Sequence, residues 1–464
     1  MMGAHQKRSG FFDLHLFCKK VKILLRKQAM EITVVGLGYV GLVNATFLAS
    51  LGHSIVGYDV DKNKISLLRD GVSTIEEPNL QELLTSCKDN MRFTANYKDA
   101  FRHAKNIFIC VDTPQEKDGS VKLSNFYKCL DEIKNAVTQD ANIIIRSTVP
   151  IGQNKLTKEY LEKDSKFKFE VISFPEFLSQ GKAVEDMLHP YRLIFGVTSS
   201  NGINVAKDIA KLFLLKKTPV MITSSENAEL IKYASNSFLA MKISYINNIA
   251  RLCEKVGADV DKVSKGMSYD PRIGDSFLKA GIGYGGSCFP KDTSALCWIA
   301  NDNSIPMELM KATIDINKTQ VDFFLNKIYK RFRSLSNLEI AILGVAFKGD
   351  TEDVRSSQAI PIVKALLDKN ANIRIYDPLA MDNFHELFSR HSHIKYMDYP
   401  SDALKNADMV LILSDSKEFL NLKASDFVSL MKKPIIFDGR NLYKIESMVG
   451  CEYHSIGRPT IKIK

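Results

Sequence analysis

The chain has 464 residues, of which 45% are apolar and 25% carry a charge. A chain of this length forms about three domains of roughly 150 residues each, and its composition is that of an ordinary globular protein. Collagen-like, fully disordered and disulfide-scaffold proteins are therefore excluded. The sequence contains no apolar run of about 18 residues, so it predicts no membrane-spanning helix.

The formal net charge of +10 is concentrated at the N-terminus. Residues 1–29 contain seven Lys or Arg and one Asp, a net charge of +6, which leaves +4 for the other 435 residues. This remaining charge favours small anionic ligands and gives no indication of nucleic-acid binding.

Residues 1–29 form a basic extension that has three open interpretations. Its apolar stretch is broken by Asp13, His15 and Lys19, so it is a poor signal peptide. It is a basic amphipathic helix that touches a membrane surface, a flexible tail, or sequence upstream of a natural start at Met30. A complete strand begins at Glu31, which favours the last two, and we expect no membrane contact.

The eight cysteines include no CxxC pair. Such spacing does not predict a zinc site, and we expect no metal. Eight cysteines in so long a chain do not indicate a disulfide framework either. A reducing cytoplasm is therefore the expected location.

From Met30 onward, short apolar runs alternate with helical stretches. The runs are EITVVG (31–36), SIVGYD (54–59), NIFICV (106–111), NIIIRS (142–147), EVISF (170–174) and RLIFGV (192–197). This alternation predicts a doubly wound parallel sheet. We place this first domain at residues 30–224.

Residues 225–325 show a different pattern. Their first part has apolar residues at helical spacing and no strand-like run, which predicts one helix of about 30 residues that ends at Gly257. A helix of this length is a plausible spine and subunit contact, and an ordinary buried helix is the open alternative. We assign this region to a central helical domain.

The alternation returns in a second, smaller unit. Its apolar runs are LEIAILGVAF (338–347), NIRIYDP (372–378), MVLILSD (409–415) and PIIFDGR (434–440). We place this domain at residues 326–455, followed by a C-terminal tail at 456–464. The sequence therefore predicts an α/β protein with two doubly wound, Rossmann-like parallel-sheet domains joined by a long central helix.

The first predicted strand runs into a GLGYVG loop (36–41), and a helix follows. Gly36 allows a tight turn, Gly38 lets a pyrophosphate approach the backbone, and Gly41 lets helix and strand pack closely. Asp59 ends the next strand, where a carboxylate binds a ribose hydroxyl and repels a 2′-phosphate. This arrangement favours NAD over NADP. Lys64 touches the adenosine end or is a solvated surface lysine.

The second unit lacks such a glycine fingerprint, so we do not expect it to bind a second dinucleotide. Lys348 and Arg440 lie just after strand ends, where doubly wound folds bind ligands. Both are suited to phosphate, and ordinary surface charges are the alternative.

A glycine-rich segment, FLKAGIGYGGSCFPKD (277–292), contains the most informative cysteine. Pro290 is well placed to open a helix, which puts Cys288 just before a helix N-terminus, a position that favours the thiolate. Asp292, about one turn later, could orient a water or hold a neighbouring lysine. A dinucleotide fold with a nucleophilic cysteine suggests two hydride transfers through a thiohemiacetal and a thioester.

From Met30 to about Tyr443, the chain resembles the UDP-glucose/GDP-mannose dehydrogenase family. The resemblance rests on GLGYVG, STVP (147–150), FPEFL (174–178), Lys232–Asn236, GYGGSCFPKD (283–292), AFKGDTEDVR (346–355) and FDGRN (437–441), in that order. Within the family, the segment at 270–292 is most similar to the branch that acts on UDP-glucose. The resemblance implies oxidation of the sugar C6 alcohol to a carboxylate with two NAD.

The resemblance also implies catalytic roles. Cys288 is the nucleophile, Lys232 and Asn236 stabilise oxyanions, Glu176 does acid–base work, Asp292 positions water, and Thr148 lies near the nicotinamide and a water. The expected cofactor contacts include the glycine loop. They are Gly36, Gly38, Tyr39, Val40, Gly41, Asp59, Lys64, Thr113, Thr148, Gln180 and Arg355.

The substrate, expected to be UDP-glucose, has its own implied contacts. They are Glu176, Phe177, Leu178, Lys232, Asn236, Arg272, Phe277, Leu278, Lys279, Gly285, Phe347, Lys348 and Arg440. Arg272 is expected to reach into the partner's site across a homodimer.

One departure concerns Gln180, where the family often has a second glutamate. Glutamine keeps the hydrogen-bonding shape and loses the charge, so it serves binding alone or alters the pH dependence of hydrolysis. Two alternatives stay open. One is the same chemistry on a UDP-N-acetylhexosamine or GDP-mannose, and the other is an inactive sensor that binds NAD and a nucleotide sugar.

Overall fold

The computed structural model describes residues 29–213, 218–389 and 391–462. They form two compact units. One consists of the chain up to Pro114 together with Lys122–Lys232, and the other of Gln115–Val121 and the chain from Tyr233 onward. The predictions made for the N-terminal extension fall on residues 1–28, which lie outside the described residues.

The described part of the first unit is built around an eight-stranded sheet with the order β3-β2-β1-β4-β5-β6-β7-β8. Its strands are β1 (Glu31–Val35), β2 (Ser54–Tyr58), β3 (Met91–Thr94), β4 (Asn106–Ile109), β5 (Ala141–Ile145), β6 (Phe169–Ser173), β7 (Leu193–Val197) and β8 (Val220–Ser224). Neighbouring strands run parallel, except that β6 and β7 are antiparallel at Ser173 and Gly196.

Helices cover this sheet. They are α1 (Tyr39–Ser50), α2 (Lys62–Arg69), α3 (Leu80–Cys87), α4 (Tyr97–Phe101), α5 (Ser124–Ala136), α6 (Gln153–Glu162), α7 (Ala183–Leu188) and α8 (Ser200–Lys211), with a 3₁₀ turn at Lys88–Asn90. The central strands are largely buried, β4 and β6 in every residue, because both faces of a parallel sheet are covered. Their uninterrupted apolar runs follow from this.

Helix α9 (Ser225–Val256) has 32 residues and confirms the long helix predicted from apolar spacing. The division between the two compact units falls within it, between Lys232 and Tyr233. The domain boundaries suggested by sequence at residues 224, 325 and 455 stay predictions.

In the second unit, α10 (Val260–Ser268), α11 (Phe289–Asp302) and α12 (Glu308–Arg331) come before the sheet. Six parallel strands then follow among the described residues, in the order β11-β10-β9-β12-β13-β14. These are β9 (Glu339–Leu343), β10 (Asn372–Tyr376), β11 (Ile394–Tyr396), β12 (Met409–Ile412), β13 (Ile435–Asp438) and β14 (Glu452–His454). The connecting elements are α13 (Ala359–Leu367), α14 (Met381–Phe388), α15 (Pro400–Leu404) and α16 (Ala424–Leu430), with 3₁₀ turns at Lys417–Asn421 and Ile445–Ser447.

The fold class predicted from sequence is confirmed: two α/β sheets and a long helix. The segment after β14 is packed rather than loose. Ile456 is fully buried, Ile461 bridges to Tyr453, and Arg458 forms an ion pair of 3.0 Å with Asp261 at the start of α10. Among the described residues, no helix combines the length and the apolar character that crossing a membrane requires.

Candidate active site

The loop between β1 and α1 is shaped for a pyrophosphate. Gly36 has φ +82°, and a Cβ on Gly41 would lie 1.8 Å from the Gly36 carbonyl oxygen. A Cβ on Gly38, by contrast, would meet no atom of the chain within 4 Å. The backbone at Gly38 is thus open to a ligand at the N-terminus of α1, where N–H groups and the helix dipole favour phosphate.

Asp59 lies beside this loop, as the sequence predicts. It is 8% exposed and accepts hydrogen bonds from the Leu37 N–H at 2.8 Å and the Asp61 N–H at 3.0 Å. The Lys64 ammonium is 3.0 Å from the same carboxylate, which places this lysine at the loop rather than in isolation on the surface. Asp59 therefore both shapes the loop and presents a carboxylate at the end of β2.

Thr113 and Thr148 lie together, in the loops that follow β4 and β5. The Thr113 hydroxyl donates to the Thr148 carbonyl at 2.8 Å, and the Ser147 hydroxyl donates to the Val111 carbonyl at 2.6 Å. These bonds join the two loops at the carboxyl ends of their strands, where doubly wound sheets bind ligands.

Glu176 and Lys232 form a buried ion pair in the first unit. Their charged atoms are 2.7 Å apart, and the Lys232 ammonium also donates to the Glu176 carbonyl at 2.7 Å. The other carboxylate oxygen accepts the Leu178 N–H at 2.6 Å. Burial opposes the charge on Glu176, but Lys232 and the Leu178 N–H hold its pKa below its ordinary value.

Two residues of this region were missed by sequence analysis. Arg146 is buried, donates to the Phe174 carbonyl at 3.1 Å, and lies 4.1 Å from the Phe174 ring. Its charge also contributes to the lowered pKa of Glu176. Glu77 is buried and accepts from the Tyr39 hydroxyl and, at 2.7 Å, from the Gly181 N–H. It thereby connects the glycine loop to the segment that carries Gln180, a connection that no motif indicates.

The aromatic side chain of Phe177 lies close to two cations. The Arg192 guanidinium is 4.1 Å from its ring centre, and the Lys232 ammonium is 5.5 Å from it. Contacts of this kind favour a fixed ring orientation. Phe177 therefore helps to hold the segment from Glu176 to Leu178 against α9.

In the second unit, Cys288 takes the N-cap position of α11, as predicted from Pro290. Its side chain is partly exposed, and its carbonyl accepts the Asp292 N–H at 2.8 Å. The side chain therefore lies at a helix N-terminus, where backbone N–H groups and the helix dipole favour a negative charge.

Asp292 is fully buried in the first turn of α11. One of its carboxylate oxygens accepts from the Asn236 amide at 2.6 Å, and the other accepts from the Lys291 ammonium at 2.6 Å. The structure therefore brings the predicted residues Asn236 and Asp292 together. It also shows that Asp292 holds a neighbouring lysine, one of the two roles considered for it from sequence.

The glycine-rich loop before Cys288 is held by buried amides that the sequence did not reveal. Asn247 accepts the Gly281 N–H, and Asn317 accepts the Tyr284 N–H, each at 2.8 Å. Arg440 donates to the carbonyls of Gly283, Phe347 and Leu413 at 2.8–2.9 Å. The Arg440 guanidinium thus links three segments of the second unit, a structural role in addition to the phosphate contact expected from the sequence.

The remaining predicted substrate residues of this unit differ in environment. Phe277 has φ +64°, a strained conformation for an aromatic residue. Leu278 is buried, whereas Lys279 is exposed. Arg272 is 88% exposed in its side chain and pairs with Asp270 at 2.6 Å.

The segment after β9 contacts this loop through its backbone. Arg355, which also pairs with Asp353 at 2.7 Å, accepts the Gly286 N–H on its carbonyl at 2.9 Å. Lys348 and Phe347 are both partly buried in the same segment. A Cβ on Gly285 would lie 2.2 Å from the Ser356 carbonyl, so only glycine fits at that position.

A glycine loop open to a ligand at a helix N-terminus, a carboxylate at the end of the next strand and polar residues at strand ends are the features of an NAD-dependent dehydrogenase. Three family models bear this out. They match the NAD binding domain of the UDP-glucose/GDP-mannose dehydrogenase family over residues 30–214, the central domain over 226–319 and the UDP binding domain over 341–445. The chain belongs to this family, and its cofactor is NAD.

Individual relatives agree with this assignment. The UDP-glucose 6-dehydrogenase YwqF of Bacillus subtilis is 39% identical over 438 residues, which is 93% of this chain and 98% of the relative. The UDP-glucose 6-dehydrogenase of Rickettsia bellii is 38% identical over 433 residues, 92% of this chain and 99% of the relative.

Solved structures show the same fold. A UDP-glucose dehydrogenase from Pyrobaculum islandicum superimposes with a TM-score of 0.86 at 30% identity and covers 93% of this chain and 98% of its own. A UDP-D-ManNAc dehydrogenase from Pyrococcus horikoshii gives a TM-score of 0.82 at 28% identity, over 92% of this chain and 99% of its own.

Proposed function

We propose that the chain oxidises the C6 alcohol of UDP-glucose to the carboxylate of UDP-glucuronate in two steps through a cysteine thioester. Relatives that are 38–39% identical over nearly the whole chain are named UDP-glucose 6-dehydrogenases. The single observation that supports the covalent route is the position of Cys288, a thiol at the N-cap of α11 whose first turn contains the Asp292–Asn236 hydrogen bond.

The covalent steps belong to Cys288. NAD supplies a hydride acceptor for each of the two oxidations at C6. After the first oxidation, the Cys288 sulfur adds to the aldehyde carbon and forms a thiohemiacetal. Loss of the second hydride leaves a thioester, to which water adds; the C–S bond then breaks, the sulfur regains its proton, and the acid is released. The reaction consumes one alcohol, two NAD and one water.

Lys232 and Asn236 are proposed to stabilise the negative charge on the C6 oxygen. They lie four residues apart on α9 and thus on one helix face. Because the pKa of Glu176 lies below its ordinary value, its carboxylate is ionised and able to accept a proton from the C6 hydroxyl or from water. Asp292 accepts from both Asn236 and Lys291, and we propose that it positions the hydrolytic water.

The cofactor is proposed to contact the glycine loop and the strand ends of the first unit. Thr113, Thr148 and Gln180 complete this set, together with Arg355. The UDP-sugar is proposed to contact the segment from Glu176 to Leu178, the loop from Arg272 to Gly285, and the strand ends at Lys348 and Arg440. We further propose a homodimer in the cytoplasm; the described cysteines are all thiols, as a reducing compartment requires.

The decisive measurement is the amount of NADH formed per UDP-glucose consumed. The proposal expects two NADH and one uronate, whereas a single NADH with an aldehyde would contradict the thioester route. A panel of UDP-glucose, UDP-N-acetylglucosamine, UDP-N-acetylmannosamine and GDP-mannose tests the substrate. If any of the other three compounds has a kcat/KM about tenfold higher than that of UDP-glucose, that compound is the preferred substrate and the proposal of UDP-glucose is wrong.

A further inference from the structure

A buried carboxylate outside the proposed catalytic set lies one turn before Lys232. Glu229 is 4% exposed. One of its oxygens accepts the Gly152 N–H at 2.6 Å, and the other accepts the Asn154 N–H at 3.0 Å and the Ser173 hydroxyl at 3.1 Å. These donors all lie outside α9 in the first unit, Gly152 and Asn154 at the start of α6 and Ser173 in β6.

The three donors lie at or near the ends of two elements, α6 and β6. Gly152 is the N-cap of α6 and has no side chain to cap that helix, so Glu229 supplies the missing cap from α9. Gly152 also closes the loop that carries Thr148. Ser173 is the last residue of β6, three residues before Glu176, and it accepts from the Asn154 amide at 3.1 Å.

The Ser173–Glu229 and Glu176–Lys232 contacts are in the same register. Each pair joins β6, or the segment that continues it, to α9, and both members of the second pair lie three residues further along the chain. A three-residue step is close to one turn of α9. The Ser173–Glu229 contact therefore aligns α9 with the end of β6 so that the Lys232 ammonium lies beside the Glu176 carboxylate.

We propose that Glu229 is a positioning residue. Its carboxylate holds the segments bearing Thr148, Glu176 and Lys232 in the relative positions that catalysis requires. The inference rests on the proposed function because it is that function which assigns catalytic work to these three residues. Glu229 itself touches neither substrate nor cofactor in this account.

Glu229→Gln tests the proposal with almost no change in volume. An amide has only one accepting oxygen, so its NH2 group must face an N–H or a hydroxyl at this site. We expect kcat with UDP-glucose to fall about 10- to 100-fold, the effect of misplacing catalytic groups, while the Kd for NAD stays within about twofold. Burial raises the pKa of Glu229 to about 7, so assays run at about pH 9, where the carboxylate is ionised.

Glu226→Gln is the matched control. Glu226 lies one turn earlier on α9 and pairs with Lys155 of α6 at 2.6 Å, with both side chains substantially exposed. Its loss removes a surface ion pair between the same two helices, a small effect. We expect kcat within about twofold of the parent protein.

A second readout does not depend on activity. Lys232 is 3% exposed and should acylate slowly in competitive labelling with acetic anhydride, followed by mass spectrometry. In Glu229→Gln, measured well below the melting temperature, we expect its labelling rate to rise at least about tenfold. Lys211, which is 58% exposed in its side chain, should label at the same rate in both proteins.

The outcomes separate the two proposals. A parent protein that gives no NADH with UDP-glucose refutes the proposed function. Even then, slow labelling of Lys232 that becomes faster in Glu229→Gln supports the inference that Glu229 positions Lys232. Unchanged kcat, or a reduced kcat with unchanged Lys232 labelling, overturns the inference. If Glu229→Gln does not fold, Ser173→Ala decides, because it removes only one of the three contacts; it should shift both readouts in the same direction, and no shift overturns the inference.

Discussion

At the scale of single residues, Cys288 differs from the other described thiols in its position on a helix. Cys87, Cys110 and Cys129 are buried within the first unit, and burial raises the pKa of Cys110 to about 12. Cys297 lies in the same helix as Cys288, two turns further on, and burial raises its pKa too. Among the thiols of the described residues, only Cys288 occupies the N-cap of an α-helix.

Replacing Cys288 with serine should stop acid formation and leave cofactor binding intact. A serine hydroxyl is a far weaker nucleophile than a thiolate, and loss of a nucleophile costs at least about a thousandfold in rate. Uronate formation is followed by chromatography, and NAD binding by calorimetry. Cys297→Ser should form uronate at nearly the parent rate. Acid formation by Cys288→Ser at the parent rate would contradict the covalent mechanism.

The Lys232–Glu176 pair gives a pH-dependent stability whose sign follows from its pKa. The folded pKa of Glu176 lies below 4.5, so the pair stabilises the fold above about pH 4.5 and is lost as the pH falls through the lower, folded pKa. Without Lys232, burial acts on Glu176 with less opposition and raises its folded pKa. The charge then destabilises the fold at neutral pH, and this penalty decreases as the pH falls.

Lys232→Met should therefore be less stable than the parent protein by about 3–5 kcal/mol at pH 7, the usual cost of breaking a buried pair. Melting temperatures measured between about pH 8 and pH 5.5 should show the difference narrowing toward acid. The double variant Glu176→Gln with Lys232→Met carries neither charge and should recover part of the loss. A difference that widens toward acid would show that Glu176 is not the group responsible.

At the scale of elements, the turn from β1 into α1 separates two roles of glycine. At Gly41 a Cβ would lie 1.8 Å from the Gly36 carbonyl oxygen, whereas at Gly38 it would meet nothing. Gly41 is thus needed for the packing of α1 on its own loop. Gly38 is compatible with any small side chain until a pyrophosphate approaches the backbone.

Gly38→Ala should fold normally and bind NAD at least about tenfold more weakly, because its Cβ takes the space of the pyrophosphate. Gly41→Ala should lower the melting temperature as well, because a backbone atom stands in the way of its Cβ. Thermal unfolding and calorimetry with NAD measure the two effects separately. Equal NAD affinity in Gly38→Ala and the parent protein would place the pyrophosphate elsewhere.

The long apolar strands and α9 could be predicted from the sequence because their patterns are long and regular. The strands β11 and β14 have three residues each, too few for a pattern, and β8 is largely exposed at an edge of its sheet. The antiparallel pairing of β6 with β7 depends on how the intervening chain returns to the sheet. No local pattern encodes that return.

The same limit applies to the site. The glycine loop, Asp59 and Cys288 stand in local motifs, so their chemistry is visible in the sequence. Glu176 was identified only through the family resemblance, since alone it is one glutamate after a strand. Glu77, Arg146 and Glu229 act through partners 28 to 106 residues away in the chain, and such contacts exist only in the folded structure.

At the scale of the whole molecule, α9 leaves an apolar stripe uncovered. Phe238, Tyr245 and Leu252 follow one another at seven-residue spacing and are 57%, 50% and 57% exposed. Side chains at this spacing lie along one face of a helix, and an exposed apolar stripe of this kind marks an interaction surface. We propose that it is the contact between two copies of the chain.

Phe238→Glu combined with Tyr245→Glu should therefore give a monomer in light scattering coupled to size-exclusion chromatography, because two buried charges outweigh the gain from such an interface. The control is Val449→Glu, at a residue that is 77% exposed and lies outside α9; it should remain a dimer. A parent protein that runs as a monomer, or a double variant that still runs as a dimer, would show that the stripe is not this contact.

The exposed side chain of Arg272 makes the dimer proposal testable through activity. If Arg272 serves the partner's site, Cys288→Ser and Arg272→Ala homodimers are each inactive, but a mixed dimer has one site with both residues intact. Random reassociation then yields about one quarter of the parent activity per site. Mixing Cys288→Ser with Asp292→Asn should restore nothing, because both residues belong to one turn of the same α11. If Cys288→Ser and Arg272→Ala form heterodimers but their mixture stays inactive, Arg272 acts in the site of its own chain.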